Sequence, residues 1–404
     1  MVVGMLLAAL VAGTARVRGL ESDAIHTMAP AMFDLKYQGS ELQAEAFRQP
    51  DLLVVYGSSE LEMPNPYHAN VVFADYPTGF TVFPVGRGST TTLVMLQDAA
   101  AVGDGLRGKK VVISVSPPWF LLHDRTPEFY APNYSPLHLN ALVFSTDLSF
   151  STKQAAVRQL LQSPKMVHQD TLIGFAADRL ASDSWTDMLL YDAVVPLGKL
   201  EHLVLQTQDV WETYRYIQSH PSNASRSASA VTSPIDWSAM LQQADAEQQI
   251  ASNNNAFGFD NDVWSQKYYK LVPERQGQMN DAFFADNLQH TAEFTDLDLL
   301  LRGLRELGAQ PLVLSQPMPG KYFDYVGVSP RARADYYSRL STIGSQYGVP
   351  VVTFADHDED TYFVTDPNSH LSREGWVYYD AVLDAFLHDR LGPTTESSLQ
   401  LPTR

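Results

Sequence analysis

Two serines stand directly behind a glycine at the end of an apolar run, Leu52-Leu53-Val54-Val55-Tyr56-Gly57-Ser58-Ser59-Glu60. A serine hydroxyl is a weak nucleophile until a base takes its proton. The base with the best context lies far along the chain: His370, in Asp366-Pro367-Asn368-Ser369-His370. An imidazole can accept the serine proton and return it to an alcohol. Asp366 is close enough in sequence to accept the other ring N–H and fix the tautomer. Ser59 is the candidate nucleophile and Ser58 its immediate rival. The plainer readings are that both serines cap the next segment and that His370 is satisfied by local backbone. Acyl transfer also needs N–H donors for an oxyanion. Gly86-Arg87-Gly88 and the backbone at Ser59 offer them, because glycine lets a chain approach a ligand closely. Glu60 reads as a structural carboxylate that holds loop N–H groups.

Composition removes several other chemistries. There is no cysteine, so disulfides, thiolate metal sites and cysteine nucleophiles are excluded. A formal net charge of −18 repels nucleic acid through the overall field. An anionic substrate would have to be held by local geometry. His357 stands in Asp356-His357-Asp358-Glu359-Asp360, which lacks cation-loop spacing and reads as a solvated acidic loop. No metal and no cofactor are expected.

The elements that must position these residues follow from periodicity. Unbroken apolar runs predict buried strands at 52–56, 81–85, 110–115, 311–315 and 350–354. Pro84 places the second at a strand end. Helices are expected at 91–103, 297–307, 330–347 and 373–391. Strand–helix–strand with a loop after each strand is the βαβ pattern of a parallel sheet. In such a sheet chemistry gathers at the carboxyl ends of strands, where Ser59 and His370 would both lie. From 151 to 294 the periodicity is helical throughout. Residues 186–219 read as one long helix or as two broken at Pro196-Leu197-Gly198. Ser222–Ser233 reads as a flexible surface loop. Residues 258–277 read as a loop packed by its own aromatics or as a cleft wall. The expected organisation is residues 19–150 and 295–404 as two halves of one α/β domain, with a helical insertion at 151–294 between them. Residues 1–18 contain Met5-Leu6-Leu7-Ala8-Ala9-Leu10-Val11, roughly 13 apolar residues with neighbours, against about 20 for a membrane span. We read them as a truncated membrane anchor or signal segment, the alternative being a buried N-terminal helix.

Four motifs in order carry a resemblance: Gly57-Ser58-Ser59-Glu60-Leu61 after the first strand, Gly86-Arg87-Gly88-Ser89-Thr90 after the second, Ser116-Pro117-Pro118-Trp119-Phe120 after the third, and Asp366 with His370-Leu371-Ser372-Arg373-Glu374-Gly375-Trp376 near the end. Together they resemble the DltD family, over residues 20 to 390. The resemblance implies a fold similar to the SGNH (GDSL-type) hydrolases, a three-layer α/β/α sandwich with a mainly parallel sheet. It implies an N-terminally anchored domain outside the cell that transfers D-alanine to lipoteichoic acid. Ser59, His370 and Asp366 then match the catalytic positions, Gly86 or Gly88 the oxyanion block, and Ser58 and Trp119 are placed at the substrate. The implied partners are lipoteichoic acid, a D-alanyl donor (a carrier protein or a membrane-bound acyl intermediate) and other membrane proteins of the D-alanylation system. Two departures stand out. The terminal block is Asp-x-x-x-His, one residue longer than Asp-x-x-His, with Asp360 as a distant reserve. Pro117 and Pro118 occupy the place of an oxyanion asparagine, and proline has no N–H to offer. The competing functions are an esterase or thioesterase of the same fold, and a non-catalytic docking protein for a D-alanyl carrier that uses the helical insertion as its interface.

Overall fold

The computed structural model describes residues 17–122, 130–220 and 234–391. The apolar stretch at 5–13 and the 222–233 segment lie outside the described residues. No helix among the described residues is long and apolar enough to cross a membrane.

Five strands form the centre: β1 (Leu52–Tyr56), β2 (Thr81–Val85), β3 (Lys110–Val115), β4 (Gln310–Ser315) and β5 (Val351–Val352). All pair in parallel, in the order β2-β1-β3-β4-β5. Every residue of β1 is buried, so helices must cover both faces of the sheet. This is the expected α/β/α sandwich. β3 and β4 pair along their whole length, from Lys110 with Gln310 to Val115 with Ser315, although they come from opposite ends of the chain. The sheet therefore closes around whatever lies between them, and that region is helical. Pro84 falls inside β2, not at its end. It is tolerated because β2 is an edge strand, where one missing N–H breaks no ladder. β5 is shorter than the apolar run predicts, because Phe354 adopts φ +50° and turns the chain out of the sheet.

The strand order reverses at one place. β1 connects to β2 on one side, and the chain then crosses back to β3 on the other. Ligands bind at the carboxyl ends of strands beside such a switch point. Here it lies between the exits of β1 and β3, at Ser58–Glu60 and Ser116.

The helix Trp185–Ser219 runs through Pro196 without a break. Gly198 lets it press onto the Phe144 ring, which a Cβ at that position would meet at 2.4 Å. The 258–277 stretch is a string of short helical turns, including a π-helical turn at Trp264–Tyr268. Phe257, Phe259, Trp264 and Tyr268 meet there through stacked and tilted ring contacts, and Tyr322 and Tyr325 from a later helix join them.

The acidic loop after β5 is not simply solvated. Arg333, with no exposed surface, reaches into it from the Pro330–Tyr347 helix. Its guanidinium donates to Asp358 at 2.9 Å, to Asp324 at 2.6 Å, to Glu359 and to the Val328 carbonyl at 2.8 Å. Asp358 itself is buried, and burial holds its carboxyl up at about 6 despite the guanidinium. Asp324 and Glu359 are about half exposed, so removing the guanidinium leaves Asp358 as the buried charge without compensation, at a cost of about 3–5 kcal/mol. We expect Arg333→Ala to lose stability of that order, read by urea unfolding. An unchanged midpoint would mean that water compensates Asp358.

Candidate active site

β1 delivers a buried chain end, and Gly57 then turns it. The Gly57 amide donates to the Val85 carbonyl at 3.0 Å, which extends the β1–β2 ladder by one step. Ser59 opens a 3₁₀ turn over Ser59–Leu61. This leaves the Ser59 side chain half-buried at the rim while Ser58 and Glu60 are buried behind it.

The final loop is built just as locally. Val364 and Leu371 form an antiparallel bridge, and the Thr365 amide donates to the His370 carbonyl at 2.8 Å. Between them the chain reverses. The Ser369 amide donates to the Asp366 carbonyl at 3.2 Å, and Ser369 takes φ +66°, the left-handed region that closes tight turns. That extra residue is what the Asp-x-x-x-His spacing accommodates. It places Asp366 and His370 side by side, with His370 Nδ1–H donating to Asp366 Oδ2 at 2.8 Å. Asp366 Oδ1 accepts the Asn368 amide at 2.8 Å, so both carboxylate oxygens are held. The Ser372 hydroxyl then caps the Arg373–Leu387 helix by accepting from Gly375 N–H at 3.1 Å.

These two local constructions meet. Ser59 Oγ lies 2.9 Å from His370 Nε2, 311 residues apart in sequence. His370 is 8% exposed and Asp366 4%. Burial works against a charged ring, but the hydrogen bond and charge of Asp366 and the charge of Glu60 outweigh it, and His370 lies above its ordinary value. The geometry is that of a hydroxyl, a base within hydrogen-bond range and a carboxylate orienting the base.

The other expected residues sort differently. The Ser58 side chain is turned away, donating to the Arg87 carbonyl at 3.4 Å. Gly86 sits at φ +134° with its Cα against the Gly57 carbonyl, which a Cβ there would meet at 1.9 Å. Only glycine fits, and this contact binds the β2 loop to the serine turn. The Gly88 amide is already used, donating to Glu62 Oε2 at 2.5 Å. Asn133 braces the same loop by donating to the Gly88 carbonyl at 3.2 Å. Trp119 lies half-buried on the Pro117–Phe120 turn that follows β3. Asp360 belongs elsewhere: its side chain lies 3.7 Å from His357 Nδ1, not at His370. Among the described residues no group of three or more His, Asp or Glu side chains is arranged to hold a metal.

Sequence reasoning missed the supports. Asn368 Nδ2 donates to the Tyr268 hydroxyl at 2.9 Å, and the Asp260 amide donates to the Thr365 carbonyl at 3.0 Å. The aromatic stretch of the helical region thus clamps the His370 loop. Asn368 carried a weak signal, being a polar residue inside the Asp-to-His spacing. Tyr268 carried only the general signal of the aromatic 258–277 stretch.

Comparison with known proteins agrees with this picture. A family model described as DltD protein matches residues 29–388. Protein DltD of Bacillus subtilis (strain 168) is 30% identical over 369 residues, covering 91% of this chain and 89% of that protein. Protein DltD of Staphylococcus aureus (strain NCTC 8325 / PS 47) is 24% identical over 352 residues, covering 87% and 84%. Protein DltD of Lacticaseibacillus rhamnosus is 20% identical over 351 residues, covering 87% and 80%.

Proposed function

This chain belongs to the DltD family, whose role is in D-alanylation of teichoic acids, and on that premise we propose that it is itself the acyl-transfer enzyme, with Ser59 as nucleophile. His370 takes the Ser59 proton as Oγ attacks a D-alanyl ester or thioester. The Oγ–C bond forms, the bond to the leaving oxygen or sulfur breaks, and the leaving group takes the proton from Nε2. A glycerol-phosphate hydroxyl of lipoteichoic acid then attacks the seryl ester, gives its proton to His370, and Ser59 Oγ recovers it. Ester is exchanged for ester, so no energy input is needed. Asp366 orients the imidazole and balances its charge. The backbone amides at Ser59 and Gly86 are the donors we assign to the oxyanion. Gly88 would join them only if Glu62 released its amide. Trp119 stands at the substrate. Residues 1–18 tether the chain to the membrane, with 19–150 and 295–404 as the two halves of the catalytic domain outside the cell and 151–294 as the helical insertion. The observation that supports this most is the 2.9 Å approach of Ser59 Oγ to His370 Nε2. The test is to incubate the full chain with a D-alanyl thioester and map the adduct by mass spectrometry. One alanyl residue on the Ser59 peptide is expected; an unmodified Ser59 with the donor consumed would reject it. Fast release of the acyl group to water alone would favour an esterase.

A second reading has its own observation. Trp185, Leu189, Leu197, Leu200, Val204 and Trp211 recur at spacings of three, four, seven or eight along the Trp185–Ser219 helix, and each is more than half exposed. Asp187, Asp192, Glu201 and Glu212 belong to the same helix, and such acidic residues disfavour an anionic lipid surface. The far end of the helix, at Tyr216 and Ile217, shares a 340 Å³ cavity with Leu20 and Met28. A membrane-embedded protein of the D-alanylation system is the occupant this face fits. Leu200→Asp should lower cell-surface D-alanine while Ser59 still takes up the acyl group in vitro. Normal surface D-alanine in that variant would remove the docking role.

A further inference from the structure

Glu60 is a carboxylate at the switch point that the acyl-transfer steps leave unused. It is 1% exposed. Oε1 accepts the Ser58 amide at 2.9 Å, and Oε2 lies 3.3 Å from the Ser116 hydroxyl oxygen, so the side chain spans the exits of β1 and β3. The connection continues inward: Ser116 Oγ also lies 2.8 Å from Gln316 Oε1, and Gln316 Nε2 donates to Ser114 at 2.9 Å, reaching the end of β4. The carboxylate folds back over Gly57, where a Cβ would meet Oε1 at 2.6 Å.

These partners are amides and hydroxyls. They would hold a glutamine nearly as well, yet the residue is an acid. A buried anion is costly unless a cation compensates it. The cationic group whose charge acts on Glu60 is His370. The charged groups that act on His370 are Asp366 and Glu60, which favour the imidazolium, and Lys267, which opposes it. We propose that Glu60 is a positioning residue for acyl transfer: its carboxylate pins the serine turn to the end of β3 and supplies a second negative charge that supports His370 when it holds the serine proton. The inference rests on the acyl-transfer reading for its function; the hold on the serine turn stands on the Ser58 contact at 2.9 Å, and the neighbouring Ser59 Oγ lies 2.9 Å from the ring that the charge would support. Burial holds the Glu60 carboxyl above its ordinary value, and its hydrogen bonds and His370 draw it only part of the way back. The imidazolium, formed during reaction, is the partner that completes its charge balance.

The test separates charge from shape. In the full chain, Glu60→Gln keeps the volume and the Ser58 contact. His370 should then titrate about 0.5–1 pH unit lower, followed by NMR of labelled histidine. The acid limb of Ser59 labelling by a fluorophosphonate should move down by the same amount. Glu60→Asp, which restores the charge, should bring both back toward the wild type. Coupling is reciprocal, so His370→Gln should raise the titration of the Glu60 carboxyl, read by carboxyl-carbon NMR. That arm does not depend on Glu60→Gln folding. An unmoved His370 in Glu60→Gln, or an unmoved Glu60 in His370→Gln, overturns the proposal. A Ser59 unreactive at every pH in the wild type would instead overturn the acyl-transfer reading, and the two titrations would still decide the coupling.

Discussion

Under the acyl-transfer mechanism proposed above, Ser59→Ala should lose acyl transfer by a factor on the order of 10⁵–10⁶, and His370→Ala by nearly as much. The two losses should not multiply. The hydroxyl and the imidazole sit 2.9 Å apart and act as one unit, so the double variant should be no worse than the poorer single one. Ser59→Ala should not unfold the chain. Ser59 is half-buried at the rim and its hydroxyl bonds to His370, so its loss leaves no core cavity. The assay is single-turnover transfer from a D-alanyl thioester to a glycerol-phosphate acceptor, with surface D-alanine in cells as the second readout. Wild-type transfer by Ser59→Ala would mean that another hydroxyl carries the acyl group. Ser58 is poorly placed to substitute, because its side chain faces the Arg87 carbonyl and its amide is held by Glu60. Wild-type surface D-alanine with no transfer in vitro would point to the exposed face of the Trp185–Ser219 helix as the part that matters.

What the sequence makes legible here is whatever is encoded by short-range pattern. β1, β2, β3 and β4 are unbroken apolar runs, and the structure finds each within a residue of its expected place. The parallel order follows from the alternation with helices. Residues 366–370 carry their own turn, so an acid and an imidazole within one loop could be paired on paper. Long-range polar contacts are a different matter. Arg333 looks like any charge on a helix, and nothing in the 356–360 run says that a guanidinium from another element will bury Asp358. Tyr268 and Asn368 are 100 residues apart and meet only because the helical region folds back on the sheet. The Gly86-Arg87-Gly88 loop illustrates both sides. Its glycines marked a close approach, but sequence could not tell that Gly86 presses on the Gly57 carbonyl while the Gly88 amide is taken by Glu62. Glu60 was readable as a carboxylate holding amides. That it also bridges two strand exits required the sheet order.

Asp366→Asn tests the third member of the array more finely than a deletion does. The carbonyl of the new side-chain amide can still accept from the Asn368 amide, which Asp366 Oδ1 now does at 2.8 Å, so the loop should keep its shape. The other end of the side chain becomes an N–H donor facing His370 Nδ1, where a carboxylate oxygen now accepts at 2.8 Å. Two donors cannot share that contact, so Nδ1 gives up its proton and Nε2 carries it instead. Nε2–H then points at Ser59 Oγ and cannot take its proton. The expected cost is on the order of 10³–10⁴-fold in acyl transfer with little change in donor binding. The pH dependence has a definite sign. Burial lowers the His370 value, and Asp366 overcomes it; without the carboxylate the ring becomes a weaker base. The acid limb of the residual activity therefore moves to lower pH while the plateau falls. Stability moves the opposite way with pH. A folded-state value raised above the unfolded one contributes stability that is fully present below about 6.5 and disappears as pH rises through the folded value. The wild type should exceed Asp366→Asn in stability more at about pH 6 than at about pH 8, by urea unfolding at both. A stability gap that is equal at the two pH values would mean that Asp366 shapes the loop without holding charge on His370, and the acid limb would then stay where it is in the wild type.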